Sequence, residues 1–483
     1  EFKFLPGGRY IYYAGRKARF WNNCYLLKGE EDTREEWGAL ADRSMLCLTA
    51  GGGIGVDYSV FRPEGRMLSR TGGQASGPIP LMYVMQGGSR RSAIYASLNH
   101  KHEDVYKFLK AKNWYDIPSG VEGVSVGDLK EKNFNFPAPL DMTNISINYG
   151  TEWMSQPRRQ KDPVFVENCR QALMTGEPGF SFNFLQNENC TLRNACCEVV
   201  SEDDSDVCNL GSLNLAAFDS KEEFEEAVRL TSKFLVCGTV RAELPYDKVY
   251  EVREKNRRLG LGLMGVHEWL VKRGYKYEVS DELREWLKVY RDESESAANE
   301  HCDRLYLSRP VAYRAIAPTG TIGILASTTT GIEPLFSVAF KRRYLVDGTK
   351  WKYEYVVDNL AEQMINDYGV DPHSIETATD LALDVERRIK FQADVQDYVD
   401  MAISSTINLP KWGTKDNNES KVESFAETLA TYAPYLRGFT CYPDGSRGGQ
   451  PITPVEFEDA KNRRGVVYEE HQEDQCKGGV CGV

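Results

Sequence analysis

Asn194-Ala195-Cys196-Cys197-Glu198 and, ten residues further on, Cys208-Asn209-Leu210-Gly211-Ser212 are the most informative stretches of this 483-residue chain. If the first stretch is extended, alternation along the backbone places Asn194, Cys196 and Glu198 on one side. An amide, a thiol and a carboxylate then converge on one small volume, which is the outline of a reaction centre. The alternative is a buried structural cysteine, but hydrogen-bonding side chains two residues to either side would be costly in an apolar core.

The segments around these stretches alternate between helical and extended patterns. The pattern favours an α/β protein with parallel strands, and it fits a closed barrel as well as an open sheet. Because no repeat and no Pro- or Ser-rich linker divides the chain, one domain over 1–468 is expected. Helices are expected over 31–47, 221–238, 281–307 and 390–403, and strands over 54–61, 311–316 and 404–409.

Composition and charge exclude several classes of protein. Lys and Arg number 59 against 71 Asp and Glu, and the formal net charge of −12 would repel a phosphate backbone, so no polymeric nucleic acid partner is expected. Without a run of about eighteen apolar residues or a signal peptide in 1–9, we expect no membrane span and a cytoplasmic location. The twelve cysteines are too sparse for a disulfide scaffold, and neither HExxH nor facing CxxC pairs indicate a structural zinc site.

Two glycine-rich motifs have more than one interpretation. Gly260, Gly262 and Gly265 form the GxGxxG pattern of dinucleotide-binding proteins, with Asp281 near the distance of a ribose-binding acid. Charged residues rather than an apolar strand precede the pattern, so close helix packing is the preferred interpretation. The run AGGGIG at 50–55 permits close approach of either a ligand or a neighbouring strand.

Two further motifs carry polar or reactive groups. Residues 318–323, PTGTIG, follow an expected strand and precede an expected helix, so they form either an anion cradle or an ordinary capped turn. Cys476 and Cys481 lie in a polar, Gly-rich segment over 469–483, which is expected to be a mobile tail. Paired thiols on a tether suit disulfide exchange, whereas half a metal site would lack its other ligands.

Taken together, these motifs resemble the catalytic subunit of ribonucleotide reductase over essentially the whole chain. The resemblance is carried by N-x-C-x-E at 194–198, by CNLG at 208–211 and by the phosphate turn at 318–321. Three further segments match the family: FLPGGR at 4–9, RRLGLG at 257–262 and SSTINLP at 404–410. The resemblance implies a ten-stranded α/β barrel in which a finger loop carries Cys196 to the centre.

The resemblance also implies a role for each polar side chain of the finger loop. Cys196 would become a thiyl radical and abstract a hydrogen atom from the ribose C3′. Glu198 would take the proton of the 3′-hydroxyl, and Asn194 would hold the substrate hydroxyls by hydrogen bonds. The chemistry agrees, because a carboxylate and an amide aimed at ribose hydroxyls stabilise developing charge, and a closed barrel keeps a radical away from solvent.

Two pairs of cysteines are implied to carry the reducing electrons. Cys24 and Cys208 would deliver two electrons, help the 2′-hydroxyl leave as water and close to a disulfide. Cys476 and Cys481 would reduce that disulfide by exchange, and a thioredoxin- or glutaredoxin-type protein would reduce the tail in turn. Cys197 has no role in this scheme and is interpreted as a small packing residue.

Substrate and effector sites follow from the same resemblance. The phosphates of a ribonucleoside di- or triphosphate would lie on the turn, and the sugar would lie near Asn23 and Gly53. A deoxynucleoside triphosphate effector, with Mg²⁺, would bind at Asp32 and Arg62, at the two-fold interface of a homodimer formed near 24–66. The expected phosphate-binding residues are Pro318, Thr319, Gly320, Thr321 and Ile322.

The sequence leaves the source of the radical open. Family members either bind adenosylcobalamin or receive the radical from a separate metal-containing small subunit through stacked tyrosines. Tyr442, followed by Pro443, is the single tyrosine in the region where partner-dependent relatives carry a pair. We prefer a partner subunit, because the chain is close to a bare barrel without a dedicated cobalamin module, and adenosylcobalamin is the alternative.

Almost nothing precedes FLPGGR, so we expect a minimal enzyme of phage or bacterial type that lacks the N-terminal ATP cone. Two functions of other classes stay open, a nicotinamide-dependent dehydrogenase and a non-catalytic nucleotide-binding module. Replacement of the Cys196 sulfur discriminates between them, because only the reductase would lose its turnover and keep its nucleotide binding.

Overall fold

The computed structural model describes residues 2–69, 72–84, 93–132, 136–346, 350–446 and 452–469. The strands are β1 Phe4–Pro6, β2 Cys24–Lys28, β3 Gly53–Asp57, β4 Ile94–Asn99, β5 Thr143–Gly150, β6 Gly179–Asn183, β7 Leu192–Arg193, β8 Val200–Ser201, β9 Asp206–Asn214, β10 Leu259–Met264, β11 Ala339–Val346, β12 Lys350–Val357, β13 Thr406–Leu409, β14 Gly438–Pro443, β15 Ile452–Pro454 and β16 Val467–Glu469. The helices are α1 Gly8–Tyr13, α2 Arg34–Thr49, α3 Ile79–Val84, α4 Val105–Lys110, α5 Val126–Lys132, α6 Thr151–Met154, α7 Pro163–Thr175, α8 Lys221–Arg241, α9 Asp247–Asn256, α10 Val266–Lys272, α11 Asp281–Arg304, α12 Gly320–Ala326, α13 Asn359–Tyr368, α14 Ala378–Leu381, α15 Val385–Gln396, α16 Val422–Tyr432 and α17 Phe457–Asn462.

Ten extended segments close into a barrel. Hydrogen bonds join nine strands in the order β10-β9-β2-β3-β4-β5-β6-β14-β13. The segment 312–316, an extended stretch held by single bridges, closes the ring between β10 and the residues that lead into β13. Leu259 N donates to Ala312 O at 3.0 Å on one side, and Ser404 N donates to Ile316 O at 2.8 Å on the other. The ten-stranded α/β barrel is therefore confirmed.

The barrel consists of two halves, each with five parallel segments. β2, β3, β4, β5 and β6 form one half, and β14, β13, 312–316, β10 and β9 form the other. The halves meet in antiparallel pairs, β2 with β9 and β6 with β14. Strands that are covered on both faces are buried throughout, and all nine residues of β9 are buried. The chain crosses from one half to the other between β6 and β9, and this crossing contains the finger loop.

Helices cover the outside of the barrel. α11 begins after Ser280, whose side chain accepts a hydrogen bond from Leu283 N at 3.2 Å, and it packs along α8. The predictions for these two helices are correct to within three residues. The helix expected over 390–403 is wrong at its end, because α15 stops at Gln396 and 401–404 is extended and pairs with the barrel.

The GxGxxG pattern is explained by the packing of barrel strands. Gly260 and Gly262 lie in β10, where a Cβ on Gly260 would overlap the Leu210 side chain and one on Gly262 would lie 2.7 Å from Ala315 O. The predicted helix packing is therefore wrong for these two glycines, because their close neighbours are extended segments. Gly265 has a φ of +72° and precedes α10.

A second, four-stranded antiparallel sheet lies beside the barrel, with the order β15-β11-β12-β16. α17 packs against β11 and β12. The sequence patterns do not predict this sheet, because its strands come from two segments about a hundred residues apart.

No helix within the described ranges is long and apolar enough to cross a membrane. The domain boundary at 468 stays a prediction, because 470–483 lie outside the described residues.

Candidate active site

The finger loop is a tight turn between β7 and β8. Cys197 N donates to Asn194 O at 2.9 Å, and Cys197 has a φ of +70°. The assumption of an extended loop is therefore wrong at this point, because the backbone reverses within four residues. Asn194, Cys196 and Glu198 nevertheless line the same cavity.

The glycine run of β3 makes room for this loop. A Cβ on Gly55 would overlap the carbonyl oxygen of Arg193, and one on Gly53 would lie 3.2 Å from Ala195 Cβ. The neighbour that Gly53 and Gly55 accommodate is therefore the finger loop, and Gly53 also borders the cavity.

The cavity around the finger loop has a volume of about 340 Å³ and is called the finger-loop cavity below. Every residue that the sequence analysis assigns to substrate binding borders it. Its lining residues are Gly7, Gly8, Asn23, Cys24, Gly53, Ala93, Asn194, Ala195, Cys196, Glu198, Leu210, Gly211, Ser212, Ala317, Pro318, Thr319, Gly320, Thr321 and Ile322.

Burial controls the protonation state of Glu198. Desolvation raises the pKa of this carboxyl to about 7, although a hydrogen bond with Asn194 acts in the opposite direction. Its Oε2 atom is buried and has no hydrogen-bond partner among the described residues. The carboxyl group can therefore exist in both protonation states near neutral pH, which a group that accepts and returns a proton requires.

Cys24 and Cys208 are directly opposed in the antiparallel pair of β2 and β9. Opposed residues of such a pair have Cβ atoms about 4.5–5.5 Å apart, a separation from which a disulfide can form with little backbone movement. Asn194 Nδ2 donates to Cys24 Sγ at 3.0 Å, and Glu198 Oε1 lies 4.0 Å from the same sulfur. Burial raises the pKa of both cysteines well above its ordinary value, so both are thiols at neutral pH.

Cys196 is exposed to the finger-loop cavity while protein surrounds its other sides. Burial within the barrel, together with the Glu198 carboxyl group, raises the pKa of its thiol well above the ordinary value. Cys196 therefore carries a hydrogen atom, as a thiol that is converted to a thiyl radical must.

The turn at 318–321 borders the same cavity at the start of α12. Thr319 has a φ of +52°, and its Oγ1 accepts a hydrogen bond from Gly331 N at 2.7 Å. The Thr319 side chain does not cap α12, so the ordinary capped turn is not the arrangement found. Gly320 and Thr321 face the cavity.

Tyr442 does not border the finger-loop cavity. It lies on a separate cavity of about 790 Å³, called the outer cavity below, whose walls include Thr328, Thr330, Phe336 and Phe340. α12 contributes residues to both cavities, so this one helix separates them.

Asp32 and Arg62 come together at the start of α2. Arg62 Nε donates to Asp32 Oδ2 at 2.6 Å, and both residues border a cavity of about 460 Å³ with Thr33 and Trp37, called the α2 cavity below.

Cys476 and Cys481 lie outside the described residues. Within the described ranges, no group of three or more His, Cys, Asp or Glu residues could hold a metal ion.

Several residues of the site were not assigned from the sequence. Gly7, Gly8 and Ser212 border the cavity, and the motifs FLPGGR and CNLGS that contain them were the available signal. The buried Arg193 holds the start of the finger loop, because its guanidinium donates to Asn183 Oδ1 at 2.7 Å and to Arg437 O at 3.1 Å. No sequence signal other than its position beside NACCE indicates this role.

Comparisons with known proteins agree on one family. A family model described as ribonucleotide reductase, barrel domain, matches residues 22–122, 162–293 and 309–435. The chain is 26% identical to the vitamin B12-dependent ribonucleoside-diphosphate reductase of Mycobacterium tuberculosis, over 93% of this chain and 72% of that protein. It is 25% identical to a protein of the same name from Thermoplasma acidophilum, over 96% and 67%. Among solved structures, the class Id ribonucleotide reductase alpha subunit of Actinobacillus ureae shares the fold, with a TM-score of 0.67 at 17% identity over 91% of this chain and 87% of that chain.

Proposed function

The chain belongs to the ribonucleotide reductase family, and we propose that its finger-loop cavity reduces ribonucleoside di- or triphosphates to 2′-deoxyribonucleotides by radical chemistry. One observation carries the proposal, the convergence of Cys196, Asn194, Glu198 and Cys24 on a single cavity. The cavity thus combines a hydrogen-atom carrier, an amide, a proton acceptor and a reducing thiol.

Cys196, Glu198 and Asn194 of the finger loop each have one task. A thiyl radical on Cys196 takes the hydrogen atom from the ribose C3′, and Glu198 takes the proton of the 3′-hydroxyl. Asn194, which already donates to Cys24 Sγ, holds the substrate hydroxyls next to the reducing thiol. The pKa of about 7 allows Glu198 to return its proton later in the cycle.

Cys24 and Cys208 supply the two electrons. One thiol proton joins the 2′-hydroxyl, which leaves as water, and the second hydrogen ends on C2′. The two sulfurs form a disulfide, and Cys196 returns its hydrogen atom to C3′. Burial supports this scheme, because it raises the pKa of both thiols and so keeps them protonated until the reduction step.

Adenosylcobalamin is the radical source that we propose. Relatives named vitamin B12-dependent favour it over the partner subunit that the sequence analysis prefers. Part of such a group would lie in the outer cavity, because hydroxyls such as Thr328 and rings such as Phe336 suit the amide rim and the face of a macrocycle. When bound there, adenosylcobalamin would supply the radical chemistry that activates Cys196.

Turnover without a second subunit tests this proposal. The purified chain, adenosylcobalamin, a ribonucleotide and a small dithiol should form deoxyribonucleotide. Cys196→Ser should abolish product while nucleotide binding and the unfolding midpoint stay unchanged, because one sulfur is replaced by oxygen. Turnover by the serine variant would contradict the radical chemistry.

Product formation only after addition of a metal-containing subunit would restore the partner alternative. Tyr442→Phe separates the two sources further. Loss of its hydroxyl would eliminate activity if Tyr442 passes an electron, whereas it would alter cofactor affinity at most if Tyr442 only lines the outer cavity.

Regulation and re-reduction complete the proposal. A deoxynucleoside triphosphate would bind the α2 cavity beside Asp32 and Arg62 and favour a homodimer through this region. A thioredoxin- or glutaredoxin-type protein would supply electrons through Cys476 and Cys481. Both parts rest on the sequence resemblance, and the position of Asp32 and Arg62 on one cavity supports the first.

A further inference from the structure

A cluster of Cys237, His301 and Arg304 lies outside the barrel, where α8 and α11 pack together. Cys237 is exposed, and its Sγ lies 3.3 Å from Nε2 of the buried His301. A guanidinium nitrogen of Arg304 lies 2.9 Å from Nδ1 of the same ring. None of these residues belongs to the proposed reductase site.

The arginine fixes the tautomer of the imidazole. A guanidinium group can only donate, so Nδ1 of His301 must be the acceptor. Burial, together with the charges of Arg304 and Lys233, lowers the pKa of His301, so the ring is neutral at pH 7 and carries its proton on Nε2. That proton faces Cys237 Sγ, which therefore accepts the hydrogen bond.

The surface around Cys237 is positively charged. Lys233 and Arg241 lie four residues before and after Cys237 on the same face of α8, and Arg304 adds a third cation from α11. None of the three cations forms an ion pair with a carboxylate of the described ranges. The neighbouring acids of α11 have their own partners: Glu300 pairs with Arg229, and Asp303 pairs with Arg309.

We infer that Cys237 forms a mixed disulfide with small disulfides that carry carboxylate groups. The Cys237 thiolate attacks one sulfur of the disulfide, and a new sulfur–sulfur bond forms between them. The original sulfur–sulfur bond breaks, and the leaving thiolate takes up a proton. Cys237 is oxidised and half of the reagent is reduced, so the reagent itself is the oxidant. The imidazole N–H is directed at the attacking sulfur, and the cations hold the carboxylates.

The rate of modification at each cysteine tests whether the His301 imidazole assists the reaction of Cys237. The reduced full-length chain is incubated with oxidised glutathione, and peptide mass spectrometry follows each site. Cys237 should react faster than Cys196, which is exposed to its cavity but receives no imidazole N–H. His301→Gln should slow Cys237 about fivefold, because the attacking sulfur loses its hydrogen bond from the imidazole N–H. An unchanged rate at Cys237 would refute the inference.

The Arg304→Gln variant and a cationic disulfide test whether the positive charge around Cys237 selects the reagent. Arg304 is exposed at the end of α11, so this variant should keep the unfolding midpoint of the parent chain. The parent should react faster with oxidised glutathione than with cystamine, and Arg304→Gln should reduce that preference about threefold. Equal rates with both reagents in the parent would contradict the inference that Cys237 selects disulfides with carboxylate groups. An internal disulfide between Cys237 and Cys302 would contradict a mixed disulfide.

Discussion

Glu198 is buried at the end of the finger loop, and burial raises its pKa to about 7. A general base must be ionised, so kcat/KM should rise with pH up to about 7 and level off above it. Glu198→Gln should lower kcat at least ~100-fold and remove this dependence. A pH–rate profile of deoxyribonucleotide formation measures both effects. Glu188→Gln removes an exposed carboxyl group ten residues earlier and should change neither.

The same pKa predicts how stability depends on pH. Between the ordinary value of 4.5 and about 7, the folded chain binds the Glu198 proton and the unfolded chain does not. The free energy of unfolding should therefore fall as pH rises through this window, by up to about 1.4 kcal/mol per pH unit from this group. Glu198→Gln should flatten that part of a urea-unfolding profile. An unchanged slope would mean that Glu198 is ionised throughout the window.

The chemical groups of the site are what the sequence predicts best at this scale. NACCE places an amide, a thiol and a carboxylate within five residues, and the resemblance to the family implies Cys24 and Cys208. The bond from Asn194 to Cys24 and the pKa of Glu198 were not predictable. Both depend on contacts between segments far apart in the chain, and no local pattern reports such contacts.

At the scale of elements, β3 determines where the finger loop lies. A Cβ on Gly55 would overlap the carbonyl oxygen of Arg193, a backbone atom that can move only with the loop. Gly55→Ala should therefore destabilise the chain by about 1–3 kcal/mol and lower kcat, because Cys196 would be displaced. Urea unfolding and turnover provide the two measurements.

Gly38→Ala is the matched control for this prediction. Gly38 lies in α2, where a Cβ would meet no atom within 4 Å. The alanine variant should gain about 0.5–1 kcal/mol, because alanine loses less conformational entropy in a helix. Similar losses of stability in both glycine variants would show that Gly55 does not act through the finger loop.

Element types were easier to predict from the sequence than element partners. The periodicity predicts α8 and α11 well, because the spacing of apolar residues within an amphipathic helix is enough to identify its buried face. It wrongly continues the helix over 390–403 beyond Gln396, because residues 401–403 are apolar for a different reason, their pairing with the buried segment 312–316. Which segment pairs with which depends on the whole fold.

At the scale of the whole molecule, barrel closure brings the chemistry together. The antiparallel meeting of the two halves makes Cys24 and Cys208 direct neighbours although they come from different halves. The crossing between the halves carries Cys196 to the cavity that Cys24 borders. Sequence periodicity could not distinguish a barrel from an open sheet, because closure depends on 312–316, which pairs through isolated bridges.

Closure also restricts access to Cys24 and Cys208. Cys24 is 5% exposed and Cys208 is fully buried, so a folded protein reductant cannot contact their sulfurs directly. A small dithiol can enter a cavity of about 340 Å³. Turnover that is supported by a protein therefore needs a carrier of electrons that reaches into the barrel, and the chain's own Cys476 and Cys481 are suited to disulfide exchange.

Replacement of both Cys476 and Cys481 by serine should reduce thioredoxin-supported turnover at least ~10-fold and leave dithiothreitol-supported turnover unchanged. Each single replacement should have the same effect, because release of a mixed disulfide requires the second sulfur. Steady-state rates with the two reductants measure the difference, and the small dithiol serves as the control within each variant. Equal loss with both reductants would show that the terminal cysteines do not carry electrons to the Cys24–Cys208 pair. Unchanged rates with both would mean that thioredoxin reaches the pair by another route, against the burial of both sulfurs.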